Sequence, residues 1–281
     1  MRSFLFVPVL EDRFIRKAPS RGADAVVLDL EASIAAERKD QARAALPGAV
    51  ALLAPQMPVT VRINPLWLAA IDDLHASVID GVSMLHLALC ESAEHLRAVD
   101  AMVTELEIAR GLPPGGITLI AMLESALAVS RATEIAHASP RLAGLTLGVE
   151  DYATSMGVAA TPDLLRPAVQ QVIQAARSAN LPAYAVPASM ADFRDLDGLR
   201  DAAHLARRMG SVGCYAVHPG QVAVLNEVFG TTEQERDWAR RVLSGAEKAR
   251  QQGLGVFQVD GQMIDQPLID RARHMLAREK T

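Results

Sequence analysis

The sequence predicts one α/β domain of the (β/α)8-barrel, or TIM-barrel, class with a C-terminal helical extension. Short β-rich segments alternate with longer amphipathic helical segments, a pattern typical of βα units around a parallel sheet. Eight strand segments can be counted, and polar residues directly follow several of them. At 281 residues, the chain is long enough for one barrel of about 250 residues. We expect the barrel over residues 1–230 and the helical extension over residues 231–281.

The predicted elements follow one another in the order that a barrel requires. The strands cover residues 3–9, 25–31, 59–64, 84–89, 118–124, 144–150, 183–188 and 215–218. Helices with apolar positions three and four apart are predicted at 37–53, 92–110, 162–180, 192–209 and 233–252. A doubly wound open sheet is the alternative fold. It is less favoured because the first βα turn lacks the G-x-G-x-x-G sequence of dinucleotide-binding domains.

The composition excludes several classes of protein. The net charge is −5 and aromatic residues make up only 4% of the chain, so neither a basic surface nor a base-stacking surface for nucleic acid is indicated. The apolar run near the first residue is too short for a signal peptide or a membrane span, and we expect a cytoplasmic protein without membrane contact. Cys90 and Cys214 are too isolated for a disulfide framework or a zinc site, so both are expected to be buried packing residues.

Two acidic residues at the ends of neighbouring strands predict a metal site. Glu124 in LIAMLESA and Asp151 in LTLGVEDYA would meet at the C-terminal rim of a barrel. Two carboxylates together with water molecules are a typical ligand set for Mg²⁺. The alternative is that the two acids cap helices or pair with arginine. The side chain of Glu150 is expected to face away, since neighbouring strand residues alternate faces.

Arg62 in TVRINP is the candidate for binding a substrate carboxylate, because guanidinium groups bind carboxylates through two parallel hydrogen bonds. Its alternative role is a structural ion pair with Asp29 or Glu31. These two acids lie in VVLDLE, and we expect their side chains to face different sides. We expect Glu31 to support the metal ligands and Asp29 to anchor the arginine.

Glycine in the sixth strand indicates a close backbone approach. The backbone of Gly148, Val149 and Glu150 is predicted to approach a bound carboxylate, while close packing at a barrel corner is the alternative for Gly148. His218 in YAVHPGQ is expected to be a structural hydrogen-bonding residue rather than a base. Ser125 and Ser189 lack the sequence context of a nucleophilic serine.

Seven ordered motifs identify a family resemblance that covers nearly the whole chain. They read RSFLFVP, KAPSRGADAVVLDLE, VRINP, MLESA, LGVEDYA, YAVHPGQ and DGQMIDQP. In this order the chain resembles the citrate lyase β-subunit-like proteins of the HpcH/HpaI aldolase/citrate lyase superfamily, which also includes malyl-CoA, citramalyl-CoA and citryl-CoA lyases.

The resemblance implies an activity and a role for each candidate residue. A β-hydroxyacyl-CoA thioester would be cleaved to a keto acid and acetyl-CoA, or formed from them, with Mg²⁺ held by Glu124 and Asp151. Arg62 would bind the keto-acid carboxylate, and Asp265 in the C-terminal tail would act as acid and base from a neighbouring subunit of a homotrimer. From the residues alone, Asp265 would be a helix cap before Pro267.

The chain also departs from the family pattern at four places. The family commonly has glycine where Val9 stands, aspartate where Ala32 stands, and proline and lysine in place of Ala88 and Leu89. The aspartate of the seventh-strand motif is absent from AYAVPASM. These departures leave three alternatives open: a thioesterase, a keto-acid aldolase that does not use CoA, and a non-catalytic subunit that binds small acids.

Overall fold

The computed structural model describes residues 1–277. The chain divides into two compact units, Met1–Phe229 and a second unit that begins at Gly230. The first unit carries a seven-stranded sheet in the order β6-β5-β4-β3-β2-β1-β7, and every strand pair in it is parallel. The strands are β1 (Ser3–Pro8), β2 (Ala25–Asp29), β3 (Val59–Ile63), β4 (Val82–Leu87), β5 (Thr118–Leu123), β6 (Leu142–Leu147) and β7 (Cys214–Ala216).

Helices surround this sheet as predicted. The helices of the first unit are α1 (Asp12–Lys17), α2 (Lys39–Leu53), α3 (Leu68–Ser77), α4 (Ala93–Ala109), α5 (Ala126–Ser130), α6 (Ala132–Ala136), α7 (Val149–Ser155), α8 (Pro162–Ser178), α9 (Leu196–Met209) and α10 (Pro219–Phe229). Side chains of Ser92, Thr161 and Asp195 cap α4, α8 and α9, which fixes where these helices begin. The predicted barrel class is confirmed, and the barrel is nearly closed.

Residues 183–188, the seventh predicted strand, do not form a regular strand. Instead of a strand over 183–188, only Ala183 pairs with Leu145 of β6 through an isolated bridge. On its other side, the carbonyl of Ala183 accepts a hydrogen bond of 3.0 Å from the N–H of Val212, just before β7. Pro182 and Pro187 flank this short segment, and proline has no N–H to continue a ladder. The segment therefore fills the eighth barrel position without forming a regular strand.

The barrel interior is packed with aromatic side chains. The ring of Phe4 lies 5.0 Å from the rings of both Tyr184 and Tyr215, edge-on to the first and stacked on the second. Gly144 of β6 leaves room for this layer, since a Cβ atom there would lie 2.8 Å from the Tyr184 ring. The interior is consequently a solid core rather than a channel.

A chain of buried hydrogen bonds crosses the same layer. The Thr60 hydroxyl donates to the carbonyl of Val26 at 2.8 Å and therefore accepts from Nε2–H of His86, also at 2.8 Å. The remaining ring nitrogen, Nδ1, then accepts from the Tyr215 hydroxyl at 2.7 Å. Burial lowers the pKa of His86 to about 3, so this histidine is a neutral structural residue.

The second unit has its own small core. It consists of α11 (Glu233–Gln251), the antiparallel pair β8 (Phe257–Val259) and β9 (Gln262–Ile264), and α12 (Gln266–Ala277). Asp260 and Gly261 both have positive φ angles, as a two-residue Asp-Gly hairpin turn requires. The buried residues of this core are Ala239, Val242, Ile264, Ile269 and Ala272. Across residues 1–277, no helix has the length and apolar composition needed to cross a membrane.

Candidate active site

The C-terminal ends of neighbouring strands gather the predicted site residues of the first unit. Asp29 ends β2, Arg62 lies in β3 and pairs in register with Asp29, and Glu124 directly follows β5. Gly148 directly follows β6. Because all these strands are parallel, the four residues lie at one rim of the barrel, which is the face that carries the active sites of barrel enzymes.

Arg62 is held in one orientation by two carboxylates. Its Nε and Nη2 bind the two oxygens of Asp29 at 2.7 and 2.8 Å, and its Nη1 lies 3.0 Å from Oε2 of Glu31. The guanidinium carbon also lies 4.4 Å above the ring of Phe6. Burial alone would raise the pKa of Asp29, but its bonds to Arg62 outweigh burial and lower that pKa. The ion-pair role predicted for Arg62 is therefore present.

The prediction that Asp29 and Glu31 face opposite sides is wrong. Both carboxylates contact Arg62, since side chains two residues apart along an extended segment lie on the same side. The ammonium group of Lys39 binds the carbonyls of Leu30 and Glu31 at 2.8 and 2.7 Å. This contact holds the backbone just after β2, and no motif in the sequence signals it.

Glu124 is a buried carboxylate with only 4% of its surface exposed. Its Oε2 accepts a hydrogen bond of 2.6 Å from the backbone N–H of Leu89. Burial, together with the negative charges of Asp151 and Glu31, raises the pKa of Glu124 to about 7, although the Leu89 bond and the charge of Arg62 oppose this shift. Its negative charge is thus poorly compensated by the protein, and a bound cation would compensate it.

Gly148 is required by the position of Glu124. A Cβ atom at Gly148 would overlap the Glu124 carboxylate and lie 2.6 Å from its Cγ. Of the two predicted reasons for this glycine, close packing is present, and it is packing against Glu124. The backbone of Gly148 also accepts a helical hydrogen bond from the N–H of Tyr152.

The predicted sixth strand extends too far. It ends at Leu147, so Val149, Glu150 and Asp151 form the first turn of α7 and Gly148 is its N-cap. The expectation that Glu150 faces away because of strand alternation therefore rests on the wrong element. Asp151 is exposed in this turn, and its charge acts on the carboxylate of Glu124.

The carboxylate pair fits a hard divalent cation with few protein ligands. Within residues 1–277 there is no group of three or more His, Cys, Asp and Glu residues suited to a metal ion, so a site of the zinc type is not present in that range. Mg²⁺ retains several water molecules and often uses only one or two carboxylates. The buried, poorly compensated Glu124 beside Asp151 meets that requirement.

The remaining candidates lie elsewhere. His218 follows β7, accepts a hydrogen bond of 3.1 Å from Gly220 N–H and stacks on Phe193, which fits the structural role expected of it. Asp265 lies between β9 and α12 in the second unit. The backbone carbonyl of Asp265 accepts a hydrogen bond of 3.1 Å from the N–H of Ile269 in α12. Cys90 and Cys214 are buried free thiols, as predicted.

Leu89 is the functional-site residue that sequence reasoning missed. It appeared there only as a departure from a lysine, whereas its backbone N–H is the hydrogen-bond donor to Glu124. Its φ angle is +47°, an uncommon conformation for a branched side chain. No sequence pattern signals a backbone donor of this kind, because any residue except proline provides the N–H group.

Comparison with known proteins decides the family. A model of the HpcH/HpaI aldolase/citrate lyase family matches residues 2–219 of the chain. The chain belongs to the HpcH/HpaI aldolase/citrate lyase family. Membership confirms the resemblance that the seven motifs indicated, and the fold found here is the one the resemblance implied.

Curated relatives and solved structures of similar length support this assignment. The chain is 37% identical over 283 residues to citrate lyase subunit beta of Escherichia coli K12, covering 99% of this chain and 92% of the relative. It is 32% identical to L-malyl-CoA/beta-methylmalyl-CoA lyase of Cereibacter sphaeroides, covering 96% and 92%. The protein CitE of Mycobacterium tuberculosis, solved with magnesium, acetoacetate and coenzyme A, matches over 100% of both chains at 30% identity with a TM-score of 0.76. Curated relatives of this chain are lyases by name, so this family member belongs to the general class of lyases.

Proposed function

We propose that this protein is a Mg²⁺-dependent carbon–carbon lyase that cleaves or forms a β-hydroxyacyl-CoA such as malyl-, citramalyl- or citryl-CoA. The products of cleavage are a keto acid and acetyl-CoA. The observation that carries the proposal is the buried Glu124, whose charge is poorly compensated, beside Asp151 and on the same rim as Arg62. The printed names of the relatives, which include a malyl-CoA lyase, support the choice of substrate class.

Each residue of the rim has a defined task in this proposal. Glu124 and Asp151 hold the cation through their carboxylates. Asp29 and Glu31 hold Arg62 in place. Arg62 binds the carboxylate of the keto-acid half through the N–H groups that Asp29 and Glu31 leave available. The N–H groups in the first turn of α7 have no acceptor within the helix, so Val149 and Glu150 can bind the same carboxylate through the backbone. The N–H of Gly148, which was predicted to join them, instead donates to the carbonyl of Leu123 at 3.0 Å.

The chemical step requires charge stabilisation and two proton transfers: the substrate hydroxyl loses its proton to water as the carbon–carbon bond breaks, and the enolate carbon then gains a proton. When bound, Mg²⁺ supplies Lewis-acid stabilisation for the negative charge that develops on the substrate hydroxyl oxygen as the carbon–carbon bond breaks. The thioester half leaves as an enolate, and the carboxyl group of Asp265 donates a proton to its carbon. In the direction of condensation the same carboxylate removes that proton. We further propose that Asp265 reaches the site from a neighbouring subunit of a homotrimer.

One other function has a specific observation in its favour. The first curated relatives are subunits by name, so the chain could bind a small acid as one component of a larger lyase. The two functions differ in whether the isolated chain turns over free CoA thioesters.

Incubation of the purified protein with malyl-, citramalyl- and citryl-CoA tests the proposal. Keto acid and free CoA are measured separately, with Mg²⁺ or with EDTA, for the wild type and for Glu124→Ala and Asp265→Ala. Mg²⁺-dependent keto acid and acetyl-CoA, lost in both variants, are expected. Free CoA without keto acid would instead identify a thioesterase. No turnover, with the keto acid still bound, would favour the subunit.

A further inference from the structure

The wall of the site between Arg62 and Glu124 is apolar. In barrel order, β4 lies between β3, which carries Arg62, and β5, which ends at Glu124. The loop after β3 (residues 64–67) and the loop after β4 (residues 88–92) contain no lysine or arginine. Their one charged residue is Glu91, whose Oε1 accepts a hydrogen bond of 2.6 Å from the Ser125 hydroxyl. This wall therefore offers no positive charge to a ligand.

Three side chains form what we call the apolar rim: Leu66, Trp67 and Leu89. Leu66 and Leu89 line one small cavity of about 10 Å³ together with His95, and the ring of Trp67 packs edge-on against His95 at 5.9 Å. Trp67 is 55% exposed and Leu89 38% exposed. A cavity of this size has room for roughly one water molecule or methyl group.

Of the three residues of the apolar rim, Leu89 is the one that contacts a proposed metal ligand. Its own N–H binds the Glu124 carboxylate at 2.6 Å. The backbone that carries the Leu89 side chain therefore contacts a proposed metal ligand. Its φ of +47° is a conformation that glycine or asparagine would adopt at lower cost. Residues held in such conformations cluster at functional sites.

The geometry of a 2-oxo acid determines which of its groups meets this wall. The carbonyl carbon bears three groups: the carboxylate, the oxo oxygen and one substituent. If Arg62 takes the carboxylate and the cation at Glu124 and Asp151 takes the oxo oxygen, the molecule spans β4 and its substituent faces the apolar rim. A second carboxylate there would lack a counter-ion and lie near Glu124 and Glu91. Burying such an unpaired charge is unfavourable.

We propose that Leu89 makes the site selective for 2-oxo acids whose substituent is an uncharged alkyl group, against those that carry a second carboxylate. This inference rests on the proposed lyase function and narrows its substrate class. A single methylene in an apolar pocket changes specificity by about 10- to 200-fold. We expect pyruvate and 2-oxobutyrate to exceed oxaloacetate by about tenfold or more in kcat/KM for condensation with acetyl-CoA.

Two variants of Leu89 and one matched control test the proposal. Leu89→Lys adds a positive charge to the rim and is expected to lower the ratio of pyruvate to oxaloacetate kcat/KM by about tenfold. Leu89→Gly keeps the N–H group that binds Glu124 and suits the positive φ. It should fold normally and lower the ratio of pyruvate to oxaloacetate kcat/KM, because the apolar side chain next to the substituent is removed. The control is Ile108→Lys, which adds the same charge at an exposed position near the end of α4, and its ratio should equal that of the wild type.

A binding measurement separates this inference from the proposed function. Calorimetric titration of the Mg²⁺-loaded protein with each 2-oxo acid requires no turnover. If no acid condenses with acetyl-CoA but pyruvate binds more tightly than oxaloacetate and Leu89→Lys reverses the order, the lyase proposal fails and the selectivity stands. Equal or tighter wild-type binding of oxaloacetate, an unchanged ratio in Leu89→Lys, or no binding of any 2-oxo acid would each overturn the inference.

Discussion

Gly148 shows how a single residue can constrain the proposed metal site. The residue has no side chain of its own in the site, yet any Cβ atom at this position would overlap the carboxylate of Glu124. The glycine is therefore part of the arrangement that keeps Glu124 buried beside the first turn of α7.

Substitution of Gly148 by alanine should impair metal binding more than folding. The added methyl group forces the Glu124 carboxylate to move, so the affinity for Mg²⁺ should fall by about tenfold, as for changes to groups that orient metal ligands. Calorimetric titration with Mg²⁺ and the melting temperature measure the two effects. The matched control is Gly48→Ala in α2, where nothing lies within 4 Å of the added atom and stability should rise by about 0.5–1 kcal/mol. Unchanged Mg²⁺ affinity in Gly148→Ala would remove Glu124 from the metal site.

Arg62 illustrates why a charge-conserving change at this site is not conservative. Lysine cannot reproduce the paired bonds of Nε and Nη2 to Asp29. Arg62→Lys should raise the KM for the keto acid by more than about tenfold and lower the melting temperature, because the buried Asp29 loses donors. The exposed Arg38, which binds Gln41, provides the control Arg38→Lys. Steady-state kinetics that show an unchanged KM in Arg62→Lys would argue against carboxylate binding by Arg62.

At the scale of elements, parallel strands place a titratable histidine inside the barrel. His86 of β4 lies between Thr60 of β3 and Tyr215 of β7, with both ring nitrogens hydrogen-bonded. Its pKa is lowered to about 3 by burial, while an unfolded chain gives histidine a pKa of about 6.5. Below pH 6.5 the unfolded state therefore binds more protons than the folded state.

This difference predicts a loss of stability on acidification. The contribution of His86 is complete above about pH 6.5 and falls by about 1.4 kcal/mol for each pH unit below that value, until the folded state is protonated near pH 3. His86→Gln should reduce this slope, because a glutamine can make both hydrogen bonds without titrating. Urea denaturation at pH 7 and pH 4.5 provides the comparison. Equal slopes for the wild type and the variant would contradict a neutral, buried His86.

The stability of α11, the first helix of the second unit, depends on the cap at its first turn. The Thr232 side chain accepts from the N–H of Glu235, and the Glu235 carboxylate accepts from the N–H of Thr232. Thr232→Ala should cost about 1 kcal/mol of the stability of α11, measured by hydrogen exchange of its amides. Thr231→Ala is the control, because Thr231 contributes its backbone carbonyl to Arg236. Equal protection in both variants would mean that the cap does not limit opening.

At the scale of the whole molecule, the proposed acid–base residue and the proposed metal ligands belong to different units. Asp265 lies in the second unit and Glu124 in the first. If each active site combines Glu124 of one subunit with Asp265 of its neighbour, two inactive variants can complement one another.

Subunit mixing tests this arrangement directly. Glu124→Ala and Asp265→Ala, each inactive alone, are unfolded together in equal amounts and refolded, and lyase activity is compared with the wild type. Random assembly into closed rings should restore about a quarter of the wild-type activity, and light scattering should give the mass of a trimer. Activity that stays at the level of the separate variants would place both residues in the same subunit or exclude a role for Asp265.

Local patterns in the sequence were sufficient for the order of elements and for the general location of the site. Alternating β and helical segments predicted the barrel, and the acidic and basic residues that follow strands predicted its functional rim. This succeeded because buried parallel strands are continuous apolar runs, and because parallel strands bring all their C-terminal ends to one face. The five predicted helices agree within a few residues with α2, α4, α8, α9 and α11, whereas α3, α5, α6, α7 and α10 were not among the predicted elements.

Other features depended on contacts between residues far apart in the chain. The seventh strand was lost because two prolines limit its ladder. The first turn of α7 took the place of the sixth strand's predicted end. The raised pKa of Glu124 and the backbone donor at Leu89 arise from burial and distance. Burial and distance are not properties of local sequence. The sequence by itself therefore determined which groups reach the rim of the barrel. Only the tertiary structure decided how these groups face one another and which charges lack compensation.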